Sequence, residues 1–128
     1  MIKIIEQVIL VDKKDQQVGV EEKIKVHQDA LLHRSFSIFV YNPEGQLLLQ
    51  QRALSKYHSG GLWSNTCCGH PRPDKLHELE VLKRLEEEVG FECDLTYAFN
   101  FKYYAAVGNG LFEREYNHVY AGITDLPI

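Results

Sequence analysis

The stretch CCGHPRPDKLHELEVLKRLEEEVG, from Cys67 to Gly90, decides the fold. Its leucines and valine at Leu76, Leu79, Leu82, Leu85 and Val89 recur at three- and four-residue spacing. That period predicts an amphipathic helix from Leu76 to Val89, its apolar stripe turned to a core. Asp74 is the expected N-cap, and Gly90 the expected C-terminal stop. Ahead of the helix, Cys68-Gly69-His70-Pro71 reads as an extended segment entering a turn.

Working outward, the flanks read as strands. Gln7 to Asp12 (QVILVD) is a short apolar run ending at a polar turn, Lys13 to Gln17. Phe36 to Tyr41 is a second strand, closed by the turn signal Asn42-Pro43-Glu44-Gly45. Gln46 to Gln51 follows, so these two segments are expected to form a hairpin. A loop of small and polar residues spans Ser55 to Asn65. On the other side, Leu95 to Tyr104 is rich in aromatics, and Gly108-Asn109-Gly110 is a hairpin turn. Leu111 to Ile123 is then one long strand. Mixed strands with an amphipathic helix give an α/β or α+β domain. A chain of 128 residues holds one such domain around one core.

The hydrophobic fraction is 45% and the charged fraction 25%, the ordinary mix of a soluble globular domain. A net charge of −4 argues against a nucleic-acid binder. An anionic ligand must then be held by a local cluster of Lys and Arg. The three cysteines, Cys67, Cys68 and Cys93, are odd in number and two are adjacent, a poor disulfide framework. Free thiols and an N-terminus without a long apolar run imply a cytoplasmic protein with no membrane partner.

Four constellations carry chemistry. His27, His33, His70, Glu113 and Glu115 are candidate metal ligands, since imidazole suits transition metals and carboxylates complete a six-coordinate shell. Glu113 and Glu115 stand two apart on a strand and so face the same way. Their bland alternative is a solvated acidic face with scattered histidines. Cys68 beside a cation would have a lowered pKa and exchange protons near neutrality; its bland alternative is a small residue in a tight turn. If Cys68 faces a site, Cys67 faces away. Lys23, Arg52, Lys56, and one of Lys83 or Arg84 would together hold an anion such as a diphosphate. Lys83 and Arg84 diverge by about 100° on a helix and are not expected to serve together. Glu86, Glu87 and Glu88 crowd the negative end of the helix dipole, and a divalent cation would relieve whichever reaches it.

Read together, Arg52-Ala53-Leu54-Ser55-Lys56, Trp63-Ser64-Asn65-Thr66-Cys67-Cys68-Gly69-His70-Pro71, the helix ending Arg84-Leu85-Glu86-Glu87-Glu88-Val89-Gly90, and Glu113-Arg114-Glu115 after Tyr103 resemble the type-1 isopentenyl-diphosphate isomerases of isoprenoid biosynthesis. The resemblance implies a Nudix fold, a mixed β-sheet flanked by helices. It implies one divalent ion (Mn²⁺, Mg²⁺ or Zn²⁺) on His27, His33, His70, Glu113 and Glu115, with Cys68 and Glu115 as paired acid/base groups and Tyr103 beside the glutamate. Lys23, Arg52, Lys56 and Arg84 would hold the diphosphate of a small allylic substrate, and Glu88 a second ion, Mg²⁺, shared with that diphosphate. Phe36, Tyr97, Phe99 and Tyr104 could wall the pocket and offer π-faces to positive charge, although core packing is the more ordinary role for each of them. Against the general Nudix motif, two acidic positions are Lys75 and Arg84, which disfavours hydrolysis of a diphosphate-linked substrate. A non-catalytic metal- or diphosphate-binding domain is the other alternative. The family continues past the position of Ile128, so residues 1–128 are expected to form one Nudix-type domain, monomeric or homodimeric, without the family's C-terminal extension.

Overall fold

A computed structural model describes residues 6–51, 61 and 63–125. The elements run β1 (Gln7–Val11), β2 (Gln17–Glu22), α1 (Lys23–Gln28), β3 (His33–Tyr41), β4 (Gln50–Gln51), β5 (Trp63–Ser64), β6 (Cys67–Gly69), α2 (His77–Val89), β7 (Leu95–Gly108) and β8 (Leu111–Ile123). The main sheet has the order β2-β1-β3-β8-β7, with β6 also paired to β3. β3 and β8 run parallel at its centre, His33 opposite Glu115 and Tyr41 opposite Ile123. The other pairings of the sheet are antiparallel. The architecture is α+β with a mixed sheet, as the sequence pattern indicates.

Alternation along β3 sorts the two faces of the sheet. Phe36, Ile38 and Val40 point to one side and form the core with Cys67, Val81, Leu85 and Tyr120. His33, Ser35 and Ser37 point to the other. The same rule separates the adjacent thiols: Cys67 lies in the core and Cys68 on the opposite, open face. Gly69 is required where β6 meets both neighbours. A Cβ there would stand 2.8 Å from Phe36 Cζ and 3.2 Å from Arg84 Cγ.

Four expectations change. The helix starts at His77, with Leu76 as N-cap and no side-chain cap bond, so Asp74 does not cap it. Leu76, Leu79 and Leu82 are 69%, 60% and 43% exposed. The buried row is Val81 and Leu85, one helical turn apart, and Glu80 is held inward by Arg72. Gly90 does close the helix, in the left-handed conformation at φ 79°. The Asn42–Gly45 turn forms, but the segment after it pairs with β3 only at the Tyr41–Leu47 bridge. Gln50–Gln51 instead pairs with Trp63–Ser64. Thr66 explains the departure. Its buried Oγ1 accepts from Val40 N at 2.9 Å and donates to Leu48 O at 2.6 Å, taking the place of a strand neighbour. Finally, β2 and α1 lie where no periodicity signals them: α1 has only six residues, two of them buried. Among the described residues no helix is long and apolar enough to cross a membrane.

Candidate active site

His27 comes from α1, His33 from the start of β3, His70 from just after β6, and Glu115 from β8. One potential ligand atom from each lies within 4.8 Å of the others. The ring centroids are 5.2 Å apart for His27–His33, 5.7 Å for His27–His70 and 5.0 Å for His33–His70. His27 Nδ1 donates to Lys23 O at 2.7 Å, and His33 Nδ1 donates to Leu31 O at 2.9 Å. A carbonyl can only accept, so each neutral ring carries its hydrogen on Nδ1 and its lone pair on Nε2. His33 Nε2 is buried without a hydrogen-bond partner and lies 3.3 Å from Glu115 Oε2. A lone pair facing a carboxylate oxygen is repulsive unless a proton or a cation lies between them. The donor set therefore fits a divalent metal, with backbone carbonyls fixing the ligand tautomers.

The electrostatics agree with that demand. Burial, then the neighbouring His70 and His33, push His27 down to about 4, against its bond to Lys23 O. Burial also lowers His70, against the pull of Glu115. Glu115 is driven upward by its own burial, yet hydrogen-bond donation and positive charge at His33 and His70 hold it well below the usual carboxylate range, a role a cation takes over when those rings are neutral. Burial and the two glutamates raise the Tyr103 phenol.

Tyr103 OH stands 2.6 Å from Glu115 Oε1 and 2.8 Å from Glu113 Oε2. One hydroxyl proton can satisfy only one of two carboxylates. The two carboxylates thus share one donor between them at this point. Glu113 lies outside the four-residue cluster and joins it through this hydroxyl.

Cys68 sits opposite Ser37 on β3, which in turn pairs with β8. Two strand spacings, about 10 Å, thus separate the Cys68 and Glu115 strands across the same face. The Cys68 thiol donates to Asn65 Oδ1 at 3.0 Å. A lowered thiol pKa is expected only beside a cation, and the protein groups around Cys68 act on its pKa in the other direction. Crowding of Sγ by protein atoms, then the charge of Glu115, raise it, with Asn65 and Ser37 opposing. Sequence reasoning assigned Asn65 no role, though it lies in the quoted motif. Its Nδ2 donates to Ile38 O at 3.0 Å and Cys67 O at 2.7 Å, clamping β6 to β3. Buried Asn117 was also missed; it donates to Ser35 Oγ at 2.9 Å and contacts Glu115 Oε1 at 3.4 Å. An asparagine two positions from Glu115 on a strand was the available signal.

Beside His70 opens a cleft of about 210 Å³ lined by Glu6, Phe36, Arg72, Lys83, Arg84 and Glu87, among others. Lys83 and Arg84 both reach it, contrary to the divergence argument, because the cleft runs along the helix flank. The cations here are paired. In the cleft Arg72 Nε lies 2.7 Å from Glu80 and Arg84 2.5 Å from Glu88, and Lys23 Nζ lies 3.2 Å from the lining residue Glu6. Glu88 also accepts from Gln50 Nε2 at 2.8 Å. Arg52 and Lys56 lie outside the described residues. Phe36, a core residue 1% exposed, reaches that cleft from below, whereas Tyr97 lies beside His118 on the helix-covered face and does not wall it. Phe101 stacks on Tyr103 with ring centroids 5.6 Å apart.

The NUDIX domain model matches residues 31–126. A protein named isopentenyl-diphosphate Delta-isomerase in Serratia proteamaculans is 51% identical over 94% of this chain and 67% of its own length. Another of that name, in Burkholderia multivorans, is 53% identical over 94% of this chain and 68% of its own. The chain thus spans about two thirds of the length of these curated relatives. In fold it is similar to a crystallised Deinococcus radiodurans protein, with a TM-score of 0.76, 18% identity, and coverage of 95% of this chain and 74% of that one.

Proposed function

This chain belongs to the NUDIX domain family and, within it, to the isopentenyl-diphosphate Delta-isomerases, and from that membership we propose how its cleft interconverts isopentenyl and dimethylallyl diphosphates. The C3–C4 double bond takes a proton at C4, leaving a tertiary cation at C3. Loss of a proton from C2 then restores the double bond between C2 and C3. Two groups must alternate as donor and acceptor on opposite sides of a five-carbon chain. The observation that carries the reading is the placement of Cys68 and Glu115 on one sheet face with a strand between them.

Asn65 orients the thiol, and Tyr103 orients the carboxylate and holds a proton at Glu115 Oε1 or Glu113 Oε2. A divalent ion on His27, His33, His70 and Glu115 would supply positive charge and fix the Glu115 carboxylate. Three imidazoles with a carboxylate suit Mn²⁺ or Zn²⁺ better than Mg²⁺. Mg²⁺ is the better match for Glu88 together with diphosphate oxygens. Lys23 and Arg84 would bind the diphosphate, with Arg52 and Lys56 as further candidates. Arg84 occupies a position where a hydrolase needs a carboxylate to gather metal and activate water.

The test is isomerisation of isopentenyl diphosphate in D₂O with Mg²⁺ and Mn²⁺. Deuterium enters dimethylallyl diphosphate with the native chain and not with Cys68→Ala or Glu115→Gln. A folded, metal-loaded chain that incorporates no deuterium overturns the reading.

A further inference from the structure

Glu6 is a carboxylate placed among the cations of the cleft. Its backbone carbonyl accepts from Lys23 N at 2.9 Å, while its side-chain Oε2 takes the Lys23 ammonium at 3.2 Å. Two contacts to one residue, at the point where β1 enters the sheet and α1 begins, fix where this acid stands. It lines the same cleft as His70 and Arg84. Partial burial pushes its carboxyl upward, and Lys23, then His70 and Arg84, more than offset this and hold it low. Glu6 is thus an anion resting on a residue expected to receive the substrate's anion. The Glu6 side chain is 54% exposed, so it can leave without opening the core.

We propose that Glu6 is an affinity-setting competitor that occupies the anion position on Lys23 and is exchanged for the diphosphate when ligand binds. The inference rests on the reading of Lys23 and Arg84 as diphosphate ligands. It adds that the cleft is tuned by an internal carboxylate to bind, and so to release, a diphosphate more weakly than its cations allow. An ammonium that exchanges one carboxylate for another anion gains less than one spared that exchange.

The experiment is calorimetric titration of inorganic diphosphate with Mg²⁺ into the metal-loaded native chain, Glu6→Gln, Glu6→Ala, Lys23→Gln and Glu6→Gln/Lys23→Gln. Expected are about three- to tenfold tighter binding in both Glu6 variants, weaker binding in Lys23→Gln, and no further effect of Glu6→Gln once Lys23 is gone. Glu6 variants that bind no tighter than the native chain, while Lys23→Gln is weakened, overturn the competition and leave the diphosphate site standing. A native chain that binds no diphosphate overturns both. An effect of Glu6→Gln that persists without Lys23 is a general charge effect and also overturns the exchange.

Discussion

Replacing Tyr103 with Phe removes one oxygen and one hydrogen from the centre of the site. The hydroxyl lies 2.6 Å from Glu115 and 2.8 Å from Glu113, so the change strips both carboxylates of a shared neighbour. A hydrogen bond to a charged group contributes about 1.5–3 kcal/mol. Converted at about 1.4 kcal/mol per decade, the loss corresponds to roughly a ten- to hundredfold fall in kcat. Packing is conserved, since Phe retains the ring stacked on Phe101 at 5.6 Å. The assay is steady-state isomerisation of isopentenyl diphosphate, run beside metal content and thermal unfolding of both proteins. The expected result is that kcat falls, with metal still bound and the fold retained. A kcat within about threefold of the native value, at equal metal content, would refute the reasoning. The hydroxyl would then be a packing atom, and Glu115 would be oriented by its imidazole neighbours and Asn117.

Two further outcomes follow from the surrounding framework. Thr66→Val keeps volume but leaves Val40 N–H and Leu48 C=O buried without the Oγ1 that now serves both, so stability falls by about 2–4 kcal/mol. In urea this lowers the midpoint by about 1–2 M, and an unchanged midpoint would mean other partners take over. Glu80 accepts three bonds from Arg72, which outweigh burial and depress its carboxyl. Because the folded value lies below the unfolded one, that stability is present above the unfolded pKa and disappears as pH falls through the folded value. Glu80→Gln removes it, by about 1–2 kcal/mol at neutrality after allowance for the half-exposed Arg72, and flattens the acid side of the stability curve. An acid limb that keeps its slope in the variant counts against the pair.

The sequence made the long elements legible. β8 spans Leu111–Ile123 as the pattern indicates, and the Gly108–Gly110 turn and the Gly90 stop follow from glycine's access to positive φ. Leucine spacing named a helix and, at Leu85 and Val89, part of its inward face, but Leu76, Leu79 and Leu82 stay exposed and Val81 takes their place. A stripe identifies amphipathicity, while the packing partner decides which row is covered, and here β6 and β3 cover Val81 and Leu85. The expected hairpin after β3 failed because one buried hydroxyl, Thr66, supplied the backbone partners a strand would have given. In the site, the histidines and glutamates could be named from their chemistry. Their convergence could not, since it depends on the parallel register of His33 with Glu115, 82 residues apart in sequence. The pairing of each cleft cation with an acid was equally hidden. Glu6 and Glu80 carry no local mark that distinguishes them from solvated surface acids.

The place of β8 in the sheet sets the order in which this molecule can be made. The last strand of the described chain is not added at an edge; it lies between β3 and β7. Until the ribosome has released residues 111–123, β7 lacks its neighbour and the parallel side of β3 is open. A nascent chain can present His27, His33 and His70, but not Glu115. Such long-range closure is slow, and it leaves exposed strand edges in the interval. Ligand set and sheet are therefore completed by the same late event. Tight metal capture by a growing or refolding chain reports that β8 has inserted.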